Sequence, residues 1–132
     1  MAAIPALTSG PATITTLLVG QSATLLQSGP FSYIATCTGT TSNPRVSIQA
    51  MSTESGSFID AAFDVNGNLL GGPYKLTAGQ PVYEPSPQPV DFSSLLNGAR
   101  MIAPSGAALT ASVTYGTKLC GADCWASGYG IG

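Results

Sequence analysis

The chain has 132 residues, a length that fits one domain able to bury a hydrophobic core without metal or disulfides. Charged residues make up only 8% of it, the formal net charge is −2, and histidine is absent. Four scattered cations cannot supply the basic surface that neutralises nucleic-acid phosphates, and no apolar run approaches the roughly 18 residues of a membrane span. We therefore expect neither a nucleic acid nor a membrane among the partners.

The first half of the chain has the residue pattern of β-strands. The segments "ATITTLLVG" (12–20) and "QSATLLQSG" (21–29) are separated by a turn and rich in residues that favour strands. The segments "FSYIATCTG" (31–39) and "RVSIQAMST" (45–53) alternate with the period of two that a half-buried strand requires. The positions that share a face within these last two segments are Phe31, Tyr33, Ala35 and Cys37, and then Val46, Ile48 and Ala50.

The next segments are broken by turn residues. The stretch 57–79 predicts strand, turn, strand, with Asn66-Gly67 at the turn because a type I′ turn needs positive φ at both central residues. The segment "PVYEPSPQPV" (81–90) holds four prolines, so it predicts a stiff extended loop or an edge strand. The segment "DFSSLLNGARMIAP" (91–104) is the one candidate for a helical turn, which would end at Asn97-Gly98.

A final strand over 107–120 completes seven or eight short strands, with turn residues about every 8–12 positions. This pattern predicts an all-β fold, an antiparallel β-sandwich or barrel. We expect a single domain, with an extended N-terminal segment (1–11), the sandwich (12–117) and a C-terminal arm (118–132). The first segment has no Lys or Arg, so we expect no signal peptide.

Residues suited to catalysis are scarce. General acid–base chemistry most often uses histidine, which the chain lacks, and nothing marks either lysine as the buried base that a serine nucleophile would then need. Asp60 and Asp64 share a strand face but would lie about 13 Å apart, too far for a cooperating carboxylate pair. We expect no enzymatic activity, no catalytic residue and no cofactor.

Two patterns resemble metal sites. Asp64, Asn66 and Asn68 have the spacing of the first ligands in a calcium-binding loop, but Lys75 stands where a bidentate glutamate is needed. A hairpin turn explains the same residues. Three cysteines without histidine cannot fill a four-ligand zinc site, so we expect no metal.

The three cysteines, Cys37, Cys120 and Cys124, leave several pairings open. Cys120 and Cys124 could close a small loop if a turn at Gly121 brought their Cα atoms within about 4.4–6.8 Å. Cys37 could instead bridge to either of them, and this longer loop would stabilise the fold by about 4 kcal/mol. All three could also be reduced, with Cys37 a small buried residue on its strand.

The closing segment, "KLCGADCWASGYGIG" (118–132), is interpreted as a structured arm. Its tryptophan and tyrosine would anchor it in an apolar groove of another subunit or of its own domain, because these residue types dominate interfaces. The low charge has two explanations: partner subunits cover much of the surface, or Ser and Thr solvate it. The residues expected at interfaces are Ile4, Leu7, Tyr83, Trp125 and Tyr129.

Three segments together resemble a known group of proteins. The hairpin "FDVNGNLLGGPYKLTAGQPVY", the segment "VDFSSLLNGARMIAPSG" and the strand "ALTASVTYG" are similar in style to small β-sandwich accessory proteins of tailed-bacteriophage virions, above all capsid decoration (cement) proteins. The resemblance covers about residues 55–116. It implies an antiparallel β-sandwich of jelly-roll or immunoglobulin-like type. It also implies a homo-oligomer, a dimer or trimer, that binds major capsid protein or other virion subunits and has no catalytic residues.

We therefore expect a structural virion protein on the capsid exterior that binds and stabilises the assembled capsid. One alternative is a phage tail, spike or fibre component that binds a host-surface glycan or receptor, for which Tyr74, Tyr83 and Trp125 could form an aromatic face. Another is a bacterial adhesin-type binding module of the cell surface.

Overall fold

The computed structural model describes residues 14–60, 62–64, 68–71, 73–83, 88–89, 94–119 and 121–131. Within these ranges thirteen strands form two antiparallel sheets that pack together, which confirms the expected all-β sandwich. The strands are β1 (Thr15–Leu17), β2 (Ser22–Ser28), β3 (Phe31–Thr40), β4 (Asn43–Ser52), β5 (Phe58–Ile59), β6 (Ala62–Phe63), β7 (Leu69–Gly71), β8 (Tyr74–Lys75), β9 (Val82–Tyr83), β10 (Gln88–Pro89), β11 (Ser94–Ile102), β12 (Ala108–Leu119) and β13 (Ala122–Ile131).

The two sheets, named here A and B, each contain strands from both halves of the chain. Sheet A has the order β1-β13-β12-β11-β5-β8, and sheet B has the order β2-β3-β4-β9-β6-β7, with β10 also paired to β4. The chain passes from one sheet to the other after β1, β4, β5, β7, β8 and β10. Segments that follow each other in sequence therefore often lie on opposite sides of the core.

Strands β3 and β4 follow their sequence pattern closely. They pair along their whole length, from Phe31 opposite Ser52 to Thr40 opposite Asn43. The alternation predicted from the sequence is observed, because the positions expected to share a face are buried in both strands. Strands β3 and β4 form the central part of the surface of sheet B that faces the core.

The C-terminal segment is a strand of the sandwich, which corrects the expectation of an arm over 118–132. β13 pairs with β12 from Leu119 opposite Ala122 to Thr110 opposite Ile131, and its other edge pairs with β1. The chain reverses beside Gly121, whose φ of 79° suits glycine. Of the two placements considered for this segment, packing on its own domain is the one observed.

Small residues explain why β13 did not have the sequence pattern of a strand. Its core-facing positions are Cys124, Ala126, Gly128 and Gly130, so it lacks the large apolar residues that mark an inward face. Strand β2 of the opposite sheet lies close to it: the Cβ of Leu25 is 3.5 Å from the position that a Cβ on Gly128 would occupy. The glycines thus allow the two sheets to approach each other.

Two further expectations change in the middle of the chain. The described part of the stretch interpreted as a helical turn belongs to strand β11, which already begins at Ser94 and continues into the strand expected from Arg100. Asn97-Gly98 lies at a shift of register between Leu96 and Ala99. Such a shift, or bulge, uses the same turn-forming residues as a helix end. The proline-rich stretch 81–90 supplies β9 and β10, and β9 lies between β4 and β6 rather than in a loop or at an edge. Two residues suffice for this pairing, so the flanking prolines do not prevent it.

A disulfide between Cys37 and Cys124 joins the two sheets through the core. Its Cα atoms are 5.8 Å apart, and neither cysteine is exposed to solvent. Each belongs to a strand with neighbours on both sides: β3 lies between β2 and β4, and β13 lies between β1 and β12. This is one of the pairings left open by the sequence, and Cys120 lies outside the described residues. The surrounding core includes Leu17, Leu26, Phe31, Tyr33, Val46, Ile48, Ile59, Leu76, Val82, Met101, Leu109, Val113 and Tyr115.

The disulfide closes a loop between residues 87 positions apart, so its removal should cost much of the stability of the domain. We predict that the double variant Cys37→Ala/Cys124→Ala lowers the free energy of unfolding by about 4 kcal/mol, because the unfolded chain regains its loop-closure entropy. Denaturant titration followed by circular dichroism measures this. Cys120→Ala is the control, since it removes a thiol and keeps the bond. A loss below about 1 kcal/mol in the double variant would show that the bond does not stabilise the sandwich.

The close packing of β13 against β2 gives a second prediction. A Cβ on Gly130 would lie 2.7 Å from Cδ1 of Leu109 and 2.9 Å from Cδ2 of Leu26, whereas the nearest atom to a Cβ on Gly128 is 3.5 Å away. We expect Gly130→Ala to destabilise the fold by about 1–3 kcal/mol through overpacking. Gly128→Ala, the matched control, should be neutral or slightly stabilising. Equal thermal midpoints for the two variants would contradict the packing described here.

Candidate binding surfaces

The outer face of sheet A, on strands β1 and β13, exposes large side chains. Ile14 is 60% exposed, Leu18 54% and Tyr129 44%. Thr16 is paired with Trp125, and Ser112 of β12 with Tyr129, so these residues lie on the same side of the sheet. Since Leu17 and Cys124 are buried on the inner side, the alternating positions, including Ile14, Leu18 and Trp125, face outward. We call this outward surface of β1, β13 and β12 the hydroxyl-aromatic face.

Charge is almost absent from the hydroxyl-aromatic face. The charged residues of its three strands are Lys118 and Asp123, and both lie beside the turn that joins β12 to β13. A carboxylate oxygen of Asp123 accepts a hydrogen bond of 3.0 Å from the backbone N–H of Val19, just beyond β1. The carboxylate therefore holds the end of the edge strand, and the centre of the face consists of Thr, Ser, Trp and Tyr.

Trp125 occupies a specific place on this face. Its cross-strand partners are Thr16 on β1 and Gly116 on β12. Gly116 has no side chain and lies on the outward side of β12. It is nevertheless buried. Trp125 itself is half-buried. A glycine opposite Trp125 therefore places no side chain beside the indole, and its burial is consistent with cover by a neighbouring side chain.

The structure brings together only some of the residues predicted to lie at interfaces. Trp125 and Tyr129 share the hydroxyl-aromatic face, whereas Tyr83 belongs to β9 of sheet B. Ile4 and Leu7 lie outside the described residues. Sequence reasoning missed Ile14 and Leu18, which the period of two in the first strand could have placed on the side of Thr16.

A second surface is a cleft of about 440 Å³ at an open side of the sandwich. It lies between the β6–β7 hairpin, which supplies Asp64 and Leu70, and the connection from β8 to β9. Two half-buried tyrosines, Tyr74 of β8 and Tyr83 of β9, line it. We call it the tyrosine cleft. Of the three aromatic residues considered for a carbohydrate-binding face, Trp125 does not line this cleft, and the other two point to different sides, Tyr74 towards the core and Tyr83 towards the outer face of sheet B.

Hydrogen bonds order both sides of the tyrosine cleft. The side-chain amide of Gln49 donates to the hydroxyl of Tyr83 at 3.3 Å. The carboxylate of Asp64 accepts from the backbone N–H of Asn68 at 2.9 Å and from its side-chain amide at 3.0 Å. The backbone N–H of Asp64 in turn donates to the carbonyl oxygen of Asn68 at 3.0 Å. These bonds support a hairpin turn as the explanation of the calcium-like spacing, although Asn66 itself lies outside the described residues.

A smaller cavity of about 190 Å³ lies beside β5 and β11. Phe58 and Ile102 are directly paired there and remain 44% and 57% exposed. Arg100 forms an ion pair of 3.2 Å with Asp60 at its rim, and both side chains are largely exposed. An exposed pair of this kind contributes at most about 1 kcal/mol to stability. The cavity is small and open to solvent. A ligand there would meet the apolar side chains of Phe58 and Ile102 beside the Arg100–Asp60 ion pair.

The two carboxylates considered for catalysis, those of Asp60 and Asp64, interact with different partners. Asp60 pairs with Arg100, whereas Asp64 accepts hydrogen bonds from Asn68. The hydroxyls of Ser52 and Ser57 are buried and lie 2.8 Å apart. Both also donate to the carbonyl oxygen of Glu54, and these bonds stabilise the turn between β4 and β5.

In the described ranges, no group of three or more His, Cys, Asp or Glu side chains could hold a metal ion. No helix long and apolar enough to span a membrane occurs in that part of the chain either.

Comparison of the chain with protein-family models, with curated proteins and with solved structures gave no significant match.

Proposed function

We propose that this protein is a structural component of a viral particle that binds the outside of an assembled capsid through its hydroxyl-aromatic face. The observation that supports this most is the composition of that face. Ile14, Leu18 and Tyr129 are exposed, Trp125 is half-buried, and the two charged residues lie at one end. Interface centres have this composition, because they are depleted in charge and enriched in Trp and Tyr.

The inter-sheet disulfide supports an extracellular place of action. Disulfides form and persist in oxidising surroundings, including virion surfaces, and are rare in proteins that function in the cytosol. The bond between Cys37 and Cys124 lies in the core, where neither sulfur reaches solvent. The proposed route is synthesis in the host cytoplasm and function on the capsid exterior, where the bond would protect a small domain from unfolding.

The proposed mechanism is thermodynamic. A protein that binds only the assembled shell stabilises that shell by mass action. The strands β1, β12 and β13 have 3, 12 and 10 residues. At about 3.4 Å per residue and about 4.8 Å between strands they present a face of about 400 Å², below the roughly 800 Å² per partner of a standard interface. Each contact would therefore be weak, and oligomerisation to a dimer or trimer would raise the avidity on a lattice of major capsid protein.

The first test is fractionation of native material that contains the protein on a density gradient without reductant. We expect the chain to sediment with megadalton particles at high copy number, and mass spectrometry of the same fractions should show the peptide that contains Cys37 linked to the peptide that contains Cys124. If the chain runs only as a free monomer or small oligomer, the proposal fails.

A pair of variants tests the face itself. Tyr129→Glu places a carboxylate on the hydroxyl-aromatic face, and Thr38→Glu places one on the outer side of sheet B opposite Arg45. Burying an unpaired charge in an interface is costly, so Tyr129→Glu should reduce rebinding to particles stripped of the protein by at least about tenfold. Thr38→Glu should rebind like the natural chain.

The variant proteins must have the same circular dichroism spectrum and thermal midpoint as the natural chain, so that a loss of rebinding reports the interface. Full rebinding by Tyr129→Glu, or equal losses in both variants, would exclude the hydroxyl-aromatic face as the docking surface.

A further inference from the structure

We infer that two copies of this chain associate about a two-fold axis through a patch on the outer face of sheet A, formed by strands β5 and β11. The patch consists of two pairs of side chains that lie across these strands. Phe58 is paired with Ile102, and Asp60 forms an ion pair of 3.2 Å with Arg100. We call these four residues the two-pair patch. The inference concerns the contact between copies and is separate from the contact with a capsid.

The apolar pair of the patch points away from the core. Ile59 and Met101, which follow Phe58 and precede Ile102, are paired with each other and buried, so their neighbours along each strand face outward. Phe58 and Ile102 nevertheless contact each other and are both exposed. The cavity of about 190 Å³ beside them, closed on one side by Pro73, gives a concave surface next to two exposed apolar side chains. Burial of these side chains would favour association.

The charged pair of the patch indicates that the partner is a second copy. A patch with charge of one sign would repel a copy of itself, but this one presents an anion beside a cation. If the second copy is turned about an axis parallel to the strands, β5 of each copy lies over β11 of the other. Asp60 then faces the partner's Arg100, and Phe58 faces the partner's Ile102. Both pairs are therefore complementary to themselves, as a two-fold interface requires.

The position of the patch leaves the hydroxyl-aromatic face available in such a dimer. In the described strand order β8 is the edge of sheet A, next to β5, so the partner's sheet would end over β12. Strands β13 and β1 lie beyond this overlap. Adjacent strands are also rotated by about 20–25°, so β13, three strands from β5, faces a direction about 60–75° away. Because this rotation is about the direction across the strands, both hydroxyl-aromatic faces turn towards the same end of the two-fold axis.

The test is sedimentation of the free chain, with its disulfide intact, at concentrations from about 10 μM to about 1 mM. The patch is smaller than the roughly 800 Å² per partner of a standard interface, so we expect a weak dimer with a Kd of about 0.1 mM. The weight-average mass should rise from 13.3 kDa towards twice that value. A mass that stays at 13.3 kDa, or that continues to rise beyond the dimer, would overturn the inference.

A matched pair of variants locates the contact. Phe58 and Tyr129 are aromatic residues on the outer face of sheet A, and each is 44% exposed. Phe58→Glu places an unpaired carboxylate in the interface twice, so it should weaken dimerisation by at least about tenfold. Tyr129→Glu should dimerise like the natural chain. If both variants, with unchanged circular dichroism spectra, have the same mass at about 1 mM, the two-pair patch is not the contact.

An exchange of charge tests the orientation of the two copies. Asp60→Lys gives a patch with two cations, and Arg100→Glu gives one with two anions. Each variant alone places like charges opposite each other and should dimerise less than the natural chain. An equimolar mixture should recover the dimer, because each cation then faces an anion of the other variant. If the mixture does not exceed the separate variants, the copies do not meet in the proposed orientation.

These measurements use no capsid, so their outcome is distinct from that of the proposed function. Tyr129→Glu should dimerise normally and fail to rebind to stripped particles. A natural chain that dimerises through the patch but never sediments with particles would leave this inference intact and exclude the proposed function.

Discussion

The bond between Cys37 and Cys124 is the constraint from which the arrangement of the rest of the structure follows. The two sheets pack through side chains, and an interior strand of each sheet is also joined covalently. The bond requires residue 124 to face the core. Because successive residues of a strand point to opposite sides, Trp125 and Tyr129 must then face outward. The same cysteine that closes the core therefore fixes which aromatic residues reach the surface.

The sequence predicts those parts of the fold that depend on local periodicity. Strands β3 and β4 alternate clearly, and their buried positions were predicted correctly. Strand β13 could not be recognised, because its inward positions are Cys124, Ala126 and glycines whose small size matters only once β2 lies against them. Asn97-Gly98 is equally compatible with a helix end and with a bulge in β11, and only the pairing of β11 with β12 distinguishes the two. Three cysteines permit several disulfide pairings. The pairing that forms can be identified only when the order of the strands in the two sheets is known.

The candidate binding surfaces show the same limit of prediction from sequence. Tyr83 and Trp125 both have the chemistry of interface residues, but sequence alone cannot say that they belong to different sheets. The chain passes between the sheets five times between β4 and β11, and this separates the tyrosine cleft from the hydroxyl-aromatic face. A partner that covers one leaves the other in solvent, which a single continuous aromatic face would not allow.

The distribution of charge bears on the two explanations for its scarcity. A hydroxyl-rich surface that simply solvates itself would have no reason to separate charge from aromatic residues. On the strands of the hydroxyl-aromatic face the charged side chains, Lys118 and Asp123, lie beside the turn that joins β12 to β13. Arg100 lies on the neighbouring strand β11, where it forms an ion pair with Asp60. Exposed Ile14 and Leu18 flank the edge strand β1, which carries no Lys or Pro to discourage pairing with another chain. In the proposed function, the partner that covers the hydroxyl-aromatic face would also cover Ile14 and Leu18 beside this edge.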